Sequence, residues 1–316
     1  MDSIVSKISG DLKIPIATLE IAIRLAKTRC RKFSILKKNG DTRQIIQPSV
    51  KVKPILSWLS LNVLNSLPVH DAATAFRRGK SILDNTSKHK EADYSVRLDL
   101  KDFFPSIKPE DLWRVMLDSR HLIPEWSIKE DAFWLISNVC FDQNNQLPIG
   151  YSTSPAIANA VMHRIDTTLA NAVMDDSRFG AATVTRYADD FVFSTNKRGA
   201  CKNFSDLLHD VIKTTNSPSL QINENKTRYM SRAGGSTIIT GLRVNNLGAV
   251  VVHGNYRDHV RLLLKLFDSG RLALDQVPQL AGHLAYIEHV DPALFTKLSF
   301  KHYKRIEEIR SLRLVE

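Results

Sequence analysis

Strict alternation of apolar and polar positions marks residues 94–99. Tyr94, Val96 and Leu98 take one parity and Ser95, Arg97 and Asp99 the other, which predicts a strand with one apolar face and Asp99 on the opposite face at its end. A second pattern flanks Tyr187-Ala188-Asp189-Asp190: Val184 before it and Phe191-Val192-Phe193 after it read as strands, with the acidic segment as the turn of a hairpin. Thr42–Gln47 reads as a strand stopped by Pro48 and entered through a hairpin turn over Lys37-Lys38-Asn39-Gly40-Asp41. Gly234-Gly235 opens a further hairpin, with strands near 237–244 and 249–253 around Asn245-Asn246-Leu247-Gly248.

Helical spacing fills the rest. Ile16, Leu19, Ile23 and Ala26 form one stripe of an N-terminal helix running to about residue 30. Ile157, Val161, Ile165 and Leu169 form a buried stripe behind Ser154-Pro155, which reads as an N-cap followed by proline at the first helical position. Near the C-terminus, Tyr256, Val260, Leu263, Leu264 and Phe267 keep one helix face, and Arg257, Arg261 and Lys265 the other. Strands and helices mixed in this way, closing on a helical zone, predict an α+β chain.

Composition adds a partner class. With 316 residues and 43% apolar content the chain can build a large core or two to three subdomains. Lys+Arg 44 against Asp+Glu 33 gives a net charge of +11, which favours a polyanionic partner, although scattered solvated charge would give the same sum. Cys30, Cys140 and Cys201 lack any paired metal-ligand spacing and read as reduced thiols. No signal-length or membrane-length apolar run is present, so a cytoplasmic chain with no membrane partner is expected.

The chemistry lies in the acidic turn. Two neighbouring anions repel each other and lose solvation unless something positive lies between them, and a hard divalent cation with oxygen ligands meets that need. A solvated surface turn is the alternative. Asp99, at the end of a distant strand, supplies the third carboxylate; converging on Asp189 and Asp190, it would complete a site for two Mg²⁺ ions suited to in-line phosphoryl displacement. Asp102 reads instead as a cap or a partner of Lys101. The histidines show no paired metal-ligand spacing, Ser152 and Ser154 lack the glycines of a nucleophile elbow, and no Gly-x-x-x-x-Gly-Lys-Ser/Thr loop occurs.

Together these residues resemble the reverse transcriptases of bacterial retrons. Tyr187-Ala188-Asp189-Asp190 is similar to their catalytic palm motif, and Asp99 to Phe104 to the partner motif carrying the first metal-binding Asp. Leu147-Pro148-Ile149-Gly150-Tyr151-Ser152-Thr153-Ser154-Pro155, running into Asn159, resembles the family's Leu-Pro-Gln-Gly-x-x-x-Ser-Pro segment. Ala75–Ser81 resembles its fingers motif, Asn85 with His89 its Asn-Ala-x-x-His element, and Thr240-Gly241 its Val-Thr-Gly element. Ile149 in place of Gln, Tyr151-Ser152 in place of a small residue and Pro, and Thr86 in place of Ala depart from the pattern. The first puts in doubt any hydrogen bond from that side chain to nucleotide or template.

The resemblance implies a right-hand polymerase fold: N-terminal helix and fingers over 1–93, continuing to about 150, a palm over 94–250 and a helical thumb over 251–316. It implies RNA-directed DNA polymerase activity, with Asp99, Asp189 and Asp190 catalytic and, with the Leu100 carbonyl, holding two Mg²⁺. Arg43, Leu100, Phe104, Gly150 and Lys226 are the expected nucleotide-side residues. Arg43 would touch the triphosphate, Phe104 would exclude a ribose 2′-hydroxyl, and Lys226 would neutralise the leaving pyrophosphate. An exposed hairpin charge, a core ring and a surface lysine are the respective alternatives. Asn85, His89, Tyr187, Thr240, Gly241, Arg257 and Arg261 are expected on nucleic acid. Implied partners are a structured non-coding RNA as template and primer, deoxynucleoside triphosphates and a separate effector in antiphage defence. Other readings are a group II intron or abortive-infection reverse transcriptase, an RNA-binding scaffold with a degenerate site, and a palm-fold cyclase; the intact Asp triad opposes the degenerate site, and Phe104 with the basic C-terminal zone opposes the cyclase.

Overall fold

The computed structural model describes residues 3–36, 40–235 and 237–313. Two short helices, α1 (Ile4–Leu12) and α2 (Ile16–Arg24), replace the single N-terminal helix expected. Lys13 turns left-handed at φ 53° and Pro15 follows, so the helical ladder cannot run through. Rotation of the second helix leaves Ile16 exposed while Leu19, Ile23 and Ala26 are buried. Strands β1 (Arg31–Leu36) and β2 (Thr42–Gln47) pair antiparallel from Arg31↔Gln47 to Leu36↔Thr42; the expected turn at Lys37, Lys38 and Asn39 lies outside the described residues.

Helices α3 (Lys53–Asn62) and α4 (Ile82–Ser87) lead to β3 (Tyr94–Asp99), the strand that alternation predicts. After it come α5 (Phe103–Ser106), α6 (Pro109–Asp118), α7 (Glu130–Cys140), α8 (Ser154–Val161), α9 (His163–Ala172) and α10 (Asp176–Phe179). Then β4 (Ala182–Tyr187), β5 (Asp190–Thr195), α11 (Ala200–Thr214) and β6 (Arg228–Ser231) complete an antiparallel sheet of order β4-β5-β3-β6. The buried stripe Ile157, Val161, Ile165 and Leu169 is present, carried by two helices that meet at Met162. Thr153, not Ser154, holds the N-cap position, and the Ser154 hydroxyl donates to the Pro148 carbonyl at 2.7 Å.

Register sorts the central sheet into two faces. Val96, Phe193 and Val184 lie opposite one another on the face covered by α9 and α11, where Phe193 stacks on Phe204 at 4.5 Å between centroids. The opposite parity carries Ser95, Arg97 and Asp99 on β3 with Asp190, Val192 and Ser194 on β5. The polar face therefore ends in carboxylates.

After β7 (Ile238–Ile239), a second apolar cluster is built by β8 (Leu242–Val244), β9 (Val250–Val252), α12 (Gly254–Asp268), α13 (Val277–Val290) and α14 (Pro292–Arg313), the last kinked at His302. The strand expected over 237–244 is split in two, because Thr240 (φ 47°) and Gly241 (φ 84°) make a tight left-handed turn between β7 and β8. Leu242 and Val252 belong to this cluster, which ties the small sheet to the C-terminal helices. Among the described residues no helix is long and apolar enough to cross a membrane.

Candidate active site

The central hairpin is tighter than the sequence implies. Its turn is Ala188-Asp189 alone, and Asp190 is already the first residue of β5, paired with Tyr187 across the hairpin and with Asp99 on β3. Ala188 adopts φ 57°, a left-handed conformation costing an alanine about 1–2 kcal/mol. The Leu100 amide donates to the Asp189 carbonyl at 2.9 Å and the Asn223 amide to the Asp99 carbonyl at 2.7 Å, so the end of β3 is fastened to the turn on one side and to the segment before Lys226 on the other. The Leu100 carbonyl takes part in neither bond.

Cations of the protein stand beside these acids. The exposed Lys226 ammonium donates to both oxygens of the buried Asp99 at 2.8 and 3.0 Å, and Arg97 Nε approaches Asp190 Oδ1 at 3.9 Å. Burial raises Asp189 above the usual carboxylate range, with the Asp99 charge acting the same way and its backbone hydrogen bond opposing. Burial likewise pushes Asp190 up to about 6, against the pull of Arg97 and with the charges of Asp189 and Asp99 adding to it. Among the described residues no three His, Cys, Asp or Glu side chains converge on one ion as they stand. The donor set nevertheless fits hard divalent ions: three carboxylates and a carbonyl, half-desolvated and repelling one another, with an ammonium seated where a cation stabilises Asp99.

A cavity of about 580 Å³ opens in front of these groups. Asp99, Leu100, Asp189 and Lys226 line it together with Arg43 of β2, Phe104 and Phe76. Phe103 and Phe104 diverge although adjacent: Phe103 is buried in the core, while Phe104, half-buried, meets Phe76 edge-on at 6.2 Å. Their element is a helical turn and not a strand continuation. It is entered through left-handed Asp102, whose side chain makes no cap, its carbonyl instead accepting from Ser106. Ile149 lines the cavity and its carbonyl accepts from the Ile46 amide at 2.8 Å.

Gly150 corrects an expectation. It does not line the cavity; at φ 119°, with a Cβ that would fall 2.6 Å from the Ile46 carbonyl, it is required for close packing against β2. Asn85 and His89, expected on nucleic acid, are both buried within the protein. Asn85 accepts from the Thr74 hydroxyl at 2.9 Å, and the His89 ring bridges Ser194 and Thr185, each at 2.7 Å. Thr240 bonds Thr86 at 3.0 Å and belongs with Asn85 to a joint between α4 and the β7–β8 turn, which also holds exposed Gly241. Thr86, the residue that departs from the family pattern, makes that joint by donating to the Ile239 carbonyl. Tyr187 is half-buried at the base of the hairpin, and half-buried Arg257 and exposed Arg261 lie on α12 sharing Asp258.

Sequence reasoning missed Phe76, whose left-handed backbone (φ 58°) and ring in the cavity wall left no trace in periodicity. It also gave Arg186 no role. A charged residue among the strand positions of β4 was the available signal, and Asn159 and Asp166, its partners, appear only once α8 and α9 are placed.

Comparisons with known proteins agree with this geometry. Residues 35–260 match the family described as reverse transcriptase (RNA-dependent DNA polymerase). The chain is 39% identical to the Escherichia coli retron Ec73 reverse transcriptase over 89% of this chain and 90% of that one, and 29% identical to the E. coli retron Ec83 reverse transcriptase over 87% of each. It is 31% identical to the Myxococcus xanthus retron Mx162 reverse transcriptase over 83% of this chain and 58% of that one. In fold it is similar to apo telomerase from Candida tropicalis, with a TM-score of 0.51 at 12% identity, over 90% of this chain and 62% of that chain.

Proposed function

Because the chain belongs to the reverse transcriptases, and among them to those of retrons, we propose that it is the RNA-directed DNA polymerase that makes a short single-stranded DNA on a cognate structured RNA, primed from an internal 2′-hydroxyl of that RNA. The observation that carries the site assignment is the register pair Asp99↔Asp190 beside the Asp189 turn, with Asp99 and Asp189 lining a cavity that Phe104 and Arg43 also line. Asp99, Asp189 and Asp190, with the Leu100 carbonyl, would hold two Mg²⁺ ions, which when bound supply charge neutralisation at the attacking and leaving oxygens.

The remaining roles belong to the protein's own groups. Arg43 and Phe104 line the same cavity, where Arg43 would suit triphosphate oxygens and the Phe104 ring would exclude a ribose 2′-hydroxyl. Lys226, whose ammonium donates to Asp99, would suit charge neutralisation of the departing pyrophosphate. Arg257 and Arg261, half-buried and exposed respectively on α12, would suit backbone phosphates of a template–product duplex held by a thumb of α12 to α14. Fingers before β3, palm from β3 through the small sheet, and thumb beyond it is the division that this reading uses. Kinship with retrons supports a separate effector protein and a role in antiphage defence.

The test is the nucleic acid that co-purifies from cells carrying the native locus. DNA joined to RNA through a 2′,5′ branch, shifting on a denaturing gel after debranching, is expected. DNA indifferent to debranching would contradict the retron priming, and DNA bonded to a protein side chain would favour an abortive-infection enzyme.

A further inference from the structure

Among the described residues Arg186 is the one Lys or Arg that is fully buried, and its guanidinium makes four hydrogen bonds, to Asp166, Asn159 and the Ala188 carbonyl. Nε and Nη2 donate to the two carboxylate oxygens of Asp166 on α9 at 2.8 and 2.7 Å. Nη1 donates to Asn159 Oδ1 on α8 at 3.3 Å and to the Ala188 carbonyl at 3.0 Å. Asn159 in turn donates through Nδ2 to the Ala75 carbonyl at 2.9 Å, next to left-handed Phe76 whose ring meets Phe104. The Arg186 backbone is pinned as well, its amide to the Ala72 carbonyl at 2.7 Å and its carbonyl by the Thr74 amide at 2.9 Å.

Two left-handed residues, Ala188 behind Asp189 and Phe76 in the cavity wall, are thus linked by one buried fork. An alanine has no side-chain polar group to stabilise that conformation locally, so its carbonyl must be held from outside. A buried ion pair is by itself a poor source of stability, since well-packed apolar residues of similar size commonly replace one without loss. Stability alone therefore does not account for the charge. The bond to Ala188 does.

We propose that Arg186, oriented by Asp166, is a positioning residue that fixes the Ala188-Asp189 turn relative to the Phe76–Phe104 wall, with Asn159 as the link to the wall. The proposal rests on the reading of Asp189 as a catalytic carboxylate. It does not rest on which RNA is copied.

The test uses the full chain and three variants: Arg186→Met with Asp166→Leu, Arg186→Lys, and Asn159→Ala. The double variant is expected to stay folded, with a modestly lowered thermal midpoint and wild-type template–primer affinity, while its single-turnover extension rate falls about 30-fold or more, with nucleotide half-saturation little changed. Asn159→Ala, which leaves the ion pair intact, should mainly raise half-saturation and loosen the preference for deoxynucleotides. Amide hydrogen exchange across residues 187–190 reads the clamp without activity and should quicken in the double variant. Wild-type exchange there together with a wild-type rate, in the folded double variant, would overturn the proposal. Should the double variant not fold, Arg186→Lys decides: it keeps a charge for Asp166 but loses the fork, and a folded Arg186→Lys protein with wild-type rate and exchange overturns it equally. Absence of extension by the wild-type chain would contradict the polymerase reading, while the exchange measurement would still decide the clamp.

Discussion

Asp99 and Asp190 face each other as the last register pair of β3 and β5, so two motifs far apart in sequence meet because two strands end at the same place. One parity serves both acids. A slip of one residue in that pairing would turn Asp190 onto the helix-covered face, beside Phe193 and Phe204, where a charge has no partner. The Leu100 bond to the Asp189 carbonyl guards against such a slip.

Sugar choice follows from the cavity wall. Phe104→Val removes the ring that lines the cavity while leaving Phe103 in the core, so the variant should fold and should incorporate ribonucleotides about tenfold or more better relative to deoxynucleotides. Competing incorporation on one RNA template measures the ratio. An unchanged ratio in a folded variant would move the gate to Phe76.

Gly150→Ala tests the docking of β2 on the loop ahead of α8. The new methyl would sit 2.6 Å from the Ile46 carbonyl in a backbone conformation alanine avoids, so a loss of about 2 kcal/mol or more is expected, together with a raised nucleotide half-saturation, because Arg43 rides on the same strand. Chemical denaturation and initial-rate kinetics read the two effects. A variant as stable as wild type would mean that β2 shifts without cost.

His89 gives the fold a pH dependence. Burial, with the Lys88 ammonium adding to it, pushes its pKa down to about 3 from an ordinary value near 6.5, so the native state keeps it neutral between Ser194 and Thr185. The unfolded chain binds the extra proton below about pH 6.5, and stability, complete above that value, is lost as pH falls toward 3. The contribution is on the order of 3 kcal/mol between about pH 7 and pH 4. Denaturation midpoints across that range should slope for the wild type and flatten for His89→Gln; equal slopes for the two would remove His89 as the cause.

The strand β3 was legible because one face is apolar and the other polar, and it matches the alternation residue for residue, whereas β2 was legible from the turn ahead of it and from Pro48 behind it. The carboxylates were legible because like charges gathered at strand ends repel one another and are costly to keep unless a cation binds there. Asn85 and His89 were legible as a motif but not as a location: sequence records that a residue type is demanded, not whether water or protein demands it, and burial answered that. The break at Thr240-Gly241 and the left-handed Phe76 and Ala188 were hidden because long-range contacts stabilise those conformations against local preference. Arg186 was hidden for the same reason, its partners lying on two helices and a turn.

RNA-templated primer extension with Mg²⁺, comparing the wild-type chain with Asp189→Asn and Asp190→Asn made singly, tests the central claim most directly. Each substitution removes one anionic oxygen set from a site with a surplus of buried negative charge, so folding and RNA binding should persist. Extension should fall about 10²-fold or more in both variants. Extension within about tenfold of wild type for both would contradict the assignment of these carboxylates to the chemistry.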